Sequence, residues 1–543
     1  MNLLVIASRP SDFVEMADLA RALSGRGHAT TLLYFFERAD PSHRGVFASL
    51  EALSAEGITT IAVDHETAQP EAPGSDAAPA TSTPAAPAGG GAMLGGLRAV
   101  AIGLRRYGLD VYPRNSRVTR LAYELARDVD GIRDKARWAQ TVRMTKARRP
   151  QLRQLGWLRR PNAMRRIHQG AAMVLHYLEF RRLFQRTMTE RAIDAVLIPE
   201  DIVGKVWPVA IAAAHERGVP ALVLPYTLAN RAEAVQGLKG LPEFQTANNR
   251  VAAQLYPRWR YSDSEVDLVR LPSPHVFAHE ELGLAPADPW MMNSGYSDRI
   301  LVDSKASCEY FKAGGIPAEQ MAVVGSVSQD RMHDLRQRRA EALQGLRNTL
   351  GLTEAKPLLL ISGCPNQLSA PVPFCEFTTM EEVARFVGAT VAPLATHYHL
   401  VVRPHPNFVE FGSWLQPFGI TSTTEPTASL VPLADAFVAF ASATIRWAIA
   451  CAIPTVNYDV FHYGYGDFAA ARGVLSVTGR EQFRDAVTRL VPASPSYDAL
   501  AEAAGRDSAD WSVMDGRSVQ RIEEEIQRAR GVRGNVKRET QHA

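Results

Sequence analysis

The stretch AFVAFASATIRWAIACAIPTVNYD, residues 436–459, decides the fold of the second half of the chain. Its first apolar run, AFVAF, is a predicted buried strand that leads into SAT (442–444), which opens a predicted helix over 445–452. Its last run, PTVNYD, is the next predicted strand. Hydroxyls and N–H groups at a helix start attract anions, so Ser442 and Thr444 are candidates for binding a phosphate. The alternative is an ordinary helix cap.

Two more predicted strands precede this unit and end in polar residues. LLLISGCPNQ, residues 358–367, runs into a loop whose glycine lets the backbone approach a phosphate or the attacked centre. VVRPHPN, residues 401–407, delivers an arginine and a histidine to a strand end that prolines hold rigid. A guanidinium and an imidazole can both donate hydrogen bonds to phosphate oxygens. The candidate phosphate-binding residues at these strand ends are Ser362, Gly363, Asn366, Arg403 and His405.

The first half of the chain repeats the alternation of strands and helices. LLVIA is a predicted strand, Ser11 or Asp12 caps a predicted helix over 13–24, and ATTLLYFF is the next strand. This alternation implies a parallel, doubly wound sheet whose ligand crevice lies at the carboxyl ends of its strands. Ser8 and Arg9 lie on the exit loop of the first strand, so we expect them to contact the substrate.

Adjacent carboxylates follow a later strand of the same half. AVLIP, residues 195–199, leads into Glu200 and Asp201, and the next predicted helix covers 207–217. Neighbouring carboxylates raise at least one pKa toward a working value. Asp201, with Glu200 second, is therefore predicted as a general base. The alternative is that the pair caps the following helix.

The two halves are predicted to be separate domains, because 543 residues are too many for one hydrophobic core. The predicted divisions are an N-terminal domain over 1–335, a C-terminal domain over 350–490, and C-terminal helices with a tail over 491–543, the last helix covering about 518–530. Two insertions interrupt the first domain: a predicted disordered one over 66–96, rich in Pro, Ala, Gly, Ser and Thr, and a basic helical one over 97–191, with helices over 116–137 and 163–191. A charged helix over 334–349 is predicted to bridge the domains.

The net charge of +3 conceals a strongly basic segment. Residues 98–191 hold 23 Lys and Arg against 7 Asp and Glu, which leaves the rest of the chain with a net charge of −13. Such a segment favours a polyanionic neighbour, which we expect to be an anionic membrane surface or a charged glycan. A solvated arginine face is the alternative. Nucleic acid is not expected, because few aromatic residues are interleaved with the basic ones.

Composition also predicts the compartment. No run reaches the roughly 18 to 20 consecutive apolar residues of a membrane-spanning helix, and MNLLVIAS lacks the basic start of a signal peptide. The four cysteines have no C-x-x-C spacing, so neither a disulfide framework nor a zinc site is expected. We therefore predict a cytoplasmic protein with peripheral contact at the inner face of the membrane.

The order of these elements resembles the GT-B superfamily. The second half of the chain is similar to the nucleotide-binding half of bacterial surface-polysaccharide transferases, the sialyl-, polysialyl-, Kdo- and CDP-glycerol-type enzymes. The resemblance consists of four strands in order: the strand with the glycine loop, the strand with the HP motif, the strand that leads into a Ser/Thr-rich helix start, and the A-I-P-T-V strand. Residues 194–226 and 298–330, the latter with Gly325 and Asp330 of a G-x4-D signature, show a looser resemblance to non-hydrolysing UDP-N-acetylglucosamine 2-epimerases.

Two departures from these families bear on function. The E-A-G-x-R strand end of the epimerases stands here as LPYTLAN, residues 224–230, without a carboxylate, which disfavours epimerase activity. The acidic residue that many relatives place on the donor ribose, in the helix after the Ser-rich loop, is missing, and Arg446 and Trp447 stand nearby.

The resemblance implies two Rossmann-like domains that face each other across a cleft, and a glycosyltransferase that moves a sugar from a nucleotide-activated donor to a surface-glycan or lipid-linked acceptor. His405, Ser442 and Thr444 would hold the donor phosphate, with no metal ion or other cofactor. The alternatives are a nucleotide-sugar epimerase, a polyol-phosphate transferase and a non-catalytic membrane- or glycan-binding protein. Asp459, which precedes FHYGYGDF, is a further candidate substrate contact, with a packed loop as the alternative.

Overall fold

A computed structural model describes residues 1–37, 43–65, 70–71, 161–224, 228, 231–239, 241, 244, 246–264, 266–293, 297–364, 366, 368, 375–406 and 408–542. Most of the predicted disordered insertion, and the predicted helix over 116–137, lie outside these residues. Its strands are β1 (Asn2–Ala7), β2 (Ala29–Phe36), β3 (Thr59–Asp64), β4 (Pro70–Glu71), β5 (Ala195–Ile198), β6 (Ala221–Val223), β7 (Arg260–Ser262), β8 (Asp267–Val269), β9 (Arg299–Val302), β10 (Met321–Val323), β11 (Leu358–Ser362), β12 (His399–Arg403), β13 (Thr421–Ser422), β14 (Ala436–Ala439), β15 (Thr455–Tyr458) and β16 (Val474–Val477). Its α-helices are Pro10–Gly25, Arg44–Ala55, Pro161–Glu190, Trp207–Glu216, Arg231–Leu238, Ala247–Leu255, Ser273–Glu281, Lys305–Ala313, Val327–Gln337, Arg339–Leu350, Met380–Val391, Glu410–Leu415, Thr427–Leu430, Ile445–Ala450, Arg480–Thr488, Pro495–Trp511 and Ser518–His542.

Two large sheets organise the described chain. The N-terminal sheet has the order β10-β9-β6-β5-β1-β2-β3-β4 and is parallel except for β4. The C-terminal sheet has the order β13-β12-β11-β14-β15-β16 and is parallel throughout. In both sheets the chain runs outward from the first strand in one direction and then returns to build the other half, which is the Rossmann order. The predicted fold class, two doubly wound α/β domains, is confirmed.

The central strands of both sheets are mostly apolar because helices cover both faces. Every residue of Leu3–Ala7 and of Leu358–Ser362 is buried. Each fully buried leucine of this kind contributes roughly 1.5–3 kcal/mol to folding. The sheets therefore form a rigid support from whose carboxyl ends the polar loops emerge.

The C-terminal helix returns to the N-terminal domain. Ile522 and Ile526 are fully buried in the cluster that contains the strand residues Leu3 and Val5. The prediction that this helix ends near residue 530 is wrong, because it continues to His542. Ion pairs of Arg530 with Asp194 and of Arg533 with Asp298, both with N–O distances of 2.6 Å, hold this part of the helix against the N-terminal domain.

Other predicted boundaries also need correction. The first helix begins at Pro10, and Asp12 is its third residue, where its carboxylate accepts hydrogen bonds from the backbone of Ser8 and Arg9 rather than capping as the first residue. The charged helix predicted over 334–349 is two helices that meet at Arg338. The helix predicted over 445–452 ends at Ala450, because Ala452 adopts a left-handed conformation with φ of 56°. The short strands β4, β7, β8, β13 and β16 were not predicted.

Within the described residues, no helix combines the length and the apolar character needed to span a membrane.

Candidate functional site

The point where the N-terminal sheet reverses its strand order lies between β1 and β5. The loops that leave these two strands are joined by an ion pair between Arg9 and Glu200, whose N–O distance is 3.3 Å. The indole N–H of Trp207 donates to the same oxygen of Glu200 at 3.1 Å. In open α/β sheets, ligands bind at the carboxyl ends of the strands beside such a reversal. Arg9 and Glu200 are therefore placed where a ligand is expected.

The C-terminal sheet reverses between β11 and β14, and hydroxyl groups meet there. The Oγ atom of Ser362, at the end of β11, lies 3.3 Å from Oγ1 of Thr444, which lies 2.9 Å from Oγ of Ser442. A side chain at Gly363 would place its Cβ 3.0 Å from Cα of Pro404, so glycine favours the close packing of this loop on the segment after β12. The predicted Ser and Thr residues thus form one cluster.

The two reversal points face a common cleft that contains a cavity of about 440 Å³. The N-terminal domain contributes Arg9 and Glu200 to its wall, and the C-terminal domain contributes Ala443, Tyr465 and Asp467. Ligand pockets are usually about 300–1,000 Å³ in volume, apolar for the most part, with a few convergent polar groups. The remaining lining residues are Ile202, Val203, Gly204, Lys205, Leu228, Glu233, Leu238, Phe244, Arg270, Leu271, Met292 and Ala441.

Two carboxylates from different domains line this cavity in addition to Glu200. Burial, reinforced by the charges of Asp467 and Glu200, raises the pKa of Glu233 to about 7. Burial also raises the pKa of Asp467, although the hydroxyl of Tyr310 donates to its carboxylate at 2.8 Å. Glu233 can therefore bind or release a proton near neutral pH. Sequence reasoning missed it, because nothing in RAEAVQGL marks one glutamate of an ordinary helix.

A smaller cavity of about 240 Å³ adjoins the first, and Arg9 and Lys205 line both. His405 lies in its wall, opposite Ser8 and the start of the first helix. Burial, and secondarily the charge of Arg403, lowers the pKa of His405 to about 4. The imidazole is therefore neutral at pH 7 and can donate one hydrogen bond. The other lining residues are Pro10, Ser11, Glu37, His43, His65, Val206 and Pro406.

Several predicted site residues have structural tasks in the described chain. Asp459 accepts hydrogen bonds from the backbone N–H groups of Tyr463 at 3.0 Å and Gly464 at 2.7 Å, so its carboxylate holds the FHYGYGDF loop. Arg403 donates to the carbonyl of Pro404, and Asn366 is exposed and accepts from the N–H of Leu368 at 3.0 Å.

Asp201 is buried, and its backbone is fixed by Asn293. The N–H of Asp201 donates to Oδ1 of Asn293 at 2.7 Å, and the N–H of Asn293 donates to the carbonyl of Asp201 at 3.0 Å. Gly204, in the same loop, donates its N–H to Nε2 of His279 at 3.3 Å, and Nδ1 of that ring lies 2.8 Å from the carbonyl of His275. These contacts identify His279 as a neutral ring protonated on Nδ1, which holds a loop that lines the larger cavity.

The domains are also joined beside the cleft by a buried ion pair. Arg446, in the helix after the hydroxyl cluster, lies 3.2 Å from Asp303, which follows β9, and both side chains are 5% exposed. This contact gives Arg446 a structural partner in the other domain. Within the described residues, no three His, Cys, Asp or Glu side chains are grouped so that they could hold a metal ion.

The fold and the cleft define a two-domain α/β protein with a charged ligand cavity between two Rossmann-ordered sheets. No protein-family model matches the chain, and no curated protein matches it. Among solved structures, a UDP-GlcNAc 2-epimerase from Neisseria meningitidis bound to UDP-GlcNAc is 11% identical, with a TM-score of 0.48, over 97% of this chain and 100% of that one. The calicheamicin glycosyltransferase CalG4 is 13% identical, with a TM-score of 0.45, over 98% of each chain. The H548A form of the wall teichoic acid polymerase TagF is 10% identical, with a TM-score of 0.41, over 66% of this chain and 75% of that one. At these scores the likenesses assign no activity to this chain.

Proposed function

We propose that the protein is a glycosyltransferase that moves a sugar from a nucleotide-activated donor to a surface-glycan or lipid-linked acceptor. The observation that carries this proposal is that loops from both strand-order reversals line one cavity. Ala441 and Ala443, which flank Ser442, come from the C-terminal domain, and the paired Arg9 and Glu200 come from the N-terminal domain. An enzyme that joins two substrates needs two binding edges that face each other, and this arrangement supplies them.

The donor phosphates are assigned to the C-terminal edge of the cleft. Ser362, Ser442 and Thr444 offer three hydroxyls there, and the glycine loop lies against the backbone of His405. The neutral imidazole of His405 can donate to a phosphate oxygen, and the cations Arg9 and Lys205 lie across the smaller cavity. These groups would stabilise the negative charge that develops as the bond between the anomeric carbon and the phosphate breaks, without a metal ion.

Glu233 is our choice for the base that accepts the proton of the acceptor hydroxyl as that oxygen attacks the anomeric carbon. Its pKa of about 7 suits proton transfer at neutral pH, and it lines the larger cavity. Glu200 also lines the cavity, but Arg9 and Trp207 already bind its carboxylate. Asp201, the first choice from the sequence, is buried, and its residue does not line either cavity. Glu200 and Asp201 are therefore assigned to shape the site.

A nucleotide screen tests the proposal. Thermal unfolding with CMP, CDP, UDP and GDP should show that one nucleotide stabilises the protein, by about 2.7 kcal/mol at 100 times its Kd. The corresponding sugar donor should then release that nucleotide with a new glycosidic bond, and His405→Ala should slow the release with an unchanged fold. An isomerised sugar without transfer would identify an epimerase instead. Binding of anionic vesicles with no nucleotide binding would identify a non-catalytic protein.

A further inference from the structure

Arg270 lies in the wall of the larger cavity and is buried, with 8% of its surface exposed. It follows β8, and its Nη2 donates to the sulfur of Met292 at 3.6 Å, while its Cζ lies 5.8 Å from the ring centroid of Trp290. Its Nε is buried and has no hydrogen-bond partner among the described residues. A thioether is a weak acceptor, so these contacts leave most of the donor capacity of the guanidinium unused.

A buried guanidinium normally has a carboxylate partner, because removing a charge from water is costly. Arg446 is also buried, with 4% of its surface exposed, and follows this rule through its ion pair with Asp303. In the described part of the chain, by contrast, no carboxylate forms an ion pair with Arg270. Burial accordingly lowers the pKa of Arg270 to about 10, and it remains a cation at neutral pH.

The surroundings of Arg270 indicate where its missing partner would come from. Glu200 is the acidic residue whose charge acts on it, but that carboxylate is bound to Arg9 and Trp207. The cavity that Arg270 lines also has apolar residues in its wall, namely Leu271, Met292, Leu228, Leu238 and Phe244. A planar guanidinium fork beside an apolar wall suits a molecule with one anionic group and a less polar body.

We propose that Arg270 binds an anionic group, a carboxylate or a phosphate, on the molecule that occupies the larger cavity. This inference rests on the proposed function only in taking that molecule to be a sugar or a polyol. On that basis, the substrate of the cavity is an acidic sugar or a phosphorylated unit rather than a neutral hexose. The body of the molecule would lie on the apolar wall, and its reacting hydroxyl would face Glu233.

Thermal unfolding with matched probes tests the inference. The carboxylate probes are N-acetylneuraminate and D-glucuronate, and the phosphate probe is sn-glycerol 3-phosphate. Their neutral counterparts are N-acetylmannosamine, D-glucose and glycerol, all at one ionic strength. Wild type should be stabilised by anionic probes only, and whether the carboxylates or the phosphate act identifies the group. The same response to neutral and anionic probes, or no response to either, would contradict the inference.

Arg270→Met supplies the decisive comparison. Without a probe this variant should melt at or above the temperature of wild type, because it removes a buried charge that lacks a partner, and it should lose the response to anionic probes. Arg270→Lys keeps the positive charge but loses the planar guanidinium fork, so the affinity for the anionic probe should fall at least about tenfold. The control Arg260→Met, an exposed arginine paired with Asp267 on the neighbouring strand, should respond like wild type.

Two results would overturn the inference. One is a wild-type response to anionic probes in Arg270→Met or Arg270→Lys, and the other is a lower melting temperature of ligand-free Arg270→Met, which would show a structural role. Nucleotide binding, measured in parallel, separates this inference from the proposed function. Loss of the anionic response with nucleotide binding intact supports both, and an Arg270-dependent anionic response without any nucleotide binding leaves the anion site standing while the transferase proposal fails.

Discussion

Burial changes the protonation of the side chains that line the cleft, and Glu233 is the clearest case. Its carboxyl group is held near Asp467 and Glu200, so its pKa is raised to about 7, whereas His405 remains neutral because its own pKa is lowered to about 4. At neutral pH, Glu233 is therefore partly protonated and His405 is uncharged. The glutamate can accept a proton during turnover, and the histidine can donate a hydrogen bond without carrying charge.

Glu233→Gln should reduce turnover by roughly 10²–10⁴-fold with nucleotide affinity nearly unchanged, because the base would be lost and the donor edge kept. In wild type, turnover should rise as the pH increases through about 7, where Glu233 loses its proton. Transfer rates measured from pH 5.5 to 8.5 check both statements, with Glu200→Gln and Asp201→Asn as the comparison variants. A larger loss in Asp201→Asn than in Glu233→Gln would restore Asp201 as the base.

Single residues of the site were predicted only where a strand end presents them. Ser362, Ser442, Thr444 and His405 follow apolar strands, so their position at one sheet edge could be foreseen from the sequence. Glu233 lies on a helix whose placement depends on tertiary packing. Arg270 did leave a signal in the sequence, because it stands among the apolar residues Leu268, Val269 and Leu271.

The loop of residues 201–206 shows how an element is held in place for the site. Gly204 in this loop has φ of 80°. Any other residue there would place its Cβ 2.6 Å from a methyl carbon of Leu271, so this position requires glycine. The buried ring of His279 accepts the N–H of Gly204 and thereby ties the loop to the helix Ser273–Glu281. The shape of the larger cavity therefore depends on a neutral histidine outside it.

Acid should destabilise the protein through this contact. Burial lowers the pKa of His279 from 6.5 to about 4. Between these two pH values His279 is therefore protonated in the unfolded chain but not in the folded chain. The contribution of the neutral His279 to the free energy of unfolding is at its full value above about pH 6.5, and it is lost as the pH falls toward 4. His176, His275 and His405 act in the same direction.

Melting temperatures measured from pH 7.5 to 4.5 check this prediction. The decline should be shallower in His279→Gln, which cannot be protonated, although that variant should start from a lower value at pH 7.5 because its contact with Gly204 is altered. Equal slopes in wild type and His279→Gln would exclude His279 as a source of the acid sensitivity.

The G-x4-D signature acquires a structural meaning in the C-terminal helix. Asp330 accepts hydrogen bonds from the N–H groups of Ser518 at 3.0 Å and Val519 at 3.2 Å, at the start of that helix. Gly325 has φ of 83°, and a larger residue at this position would place its Cβ 2.2 Å from Oγ of Ser518. The signature therefore docks the last helix on the N-terminal domain, a role that no local pattern in the sequence could reveal.

Asp330→Ala should lower the free energy of unfolding by about 0.5–2 kcal/mol, as the loss of a capping carboxylate does. Gly325→Ala should cost more, since the added carbon collides with Ser518 and the conformation is strained for alanine. Urea denaturation checks both values. Gly345→Ala, within the helix Arg339–Leu350, is a matched control that meets no atom within 4 Å and should be neutral or stabilising. Wild-type stability of Gly325→Ala would contradict the docking role.

At the scale of the whole molecule, strand patterns predicted the two sheets, since the Rossmann order follows from alternating strands and helices. The contacts between the domains could not be predicted, because Asp303 and Arg446 are distant in sequence and each looks ordinary in its own segment. Their buried ion pair is one of the contacts that join the two domains.

Replacing one partner of this pair should be costly, because the other charge would remain buried. Arg446→Met should lower the free energy of unfolding by about 3–5 kcal/mol, whereas the double variant Asp303→Leu with Arg446→Met should recover most of that loss. Urea denaturation of the two single variants and the double variant forms a cycle that measures the coupling. Additive losses would show that the pair does not join the domains energetically.

The central claim is that both strand-order reversals contribute to one ligand cleft. Its most direct test is hydrogen–deuterium exchange, measured with and without the nucleotide that stabilises the protein. We expect protection at the C-terminal edge, residues 441–446 and the end of β11, together with protection at the N-terminal edge, residues 8–12 and 200–205. Protection confined to other parts of the chain, or none at all, would contradict the account.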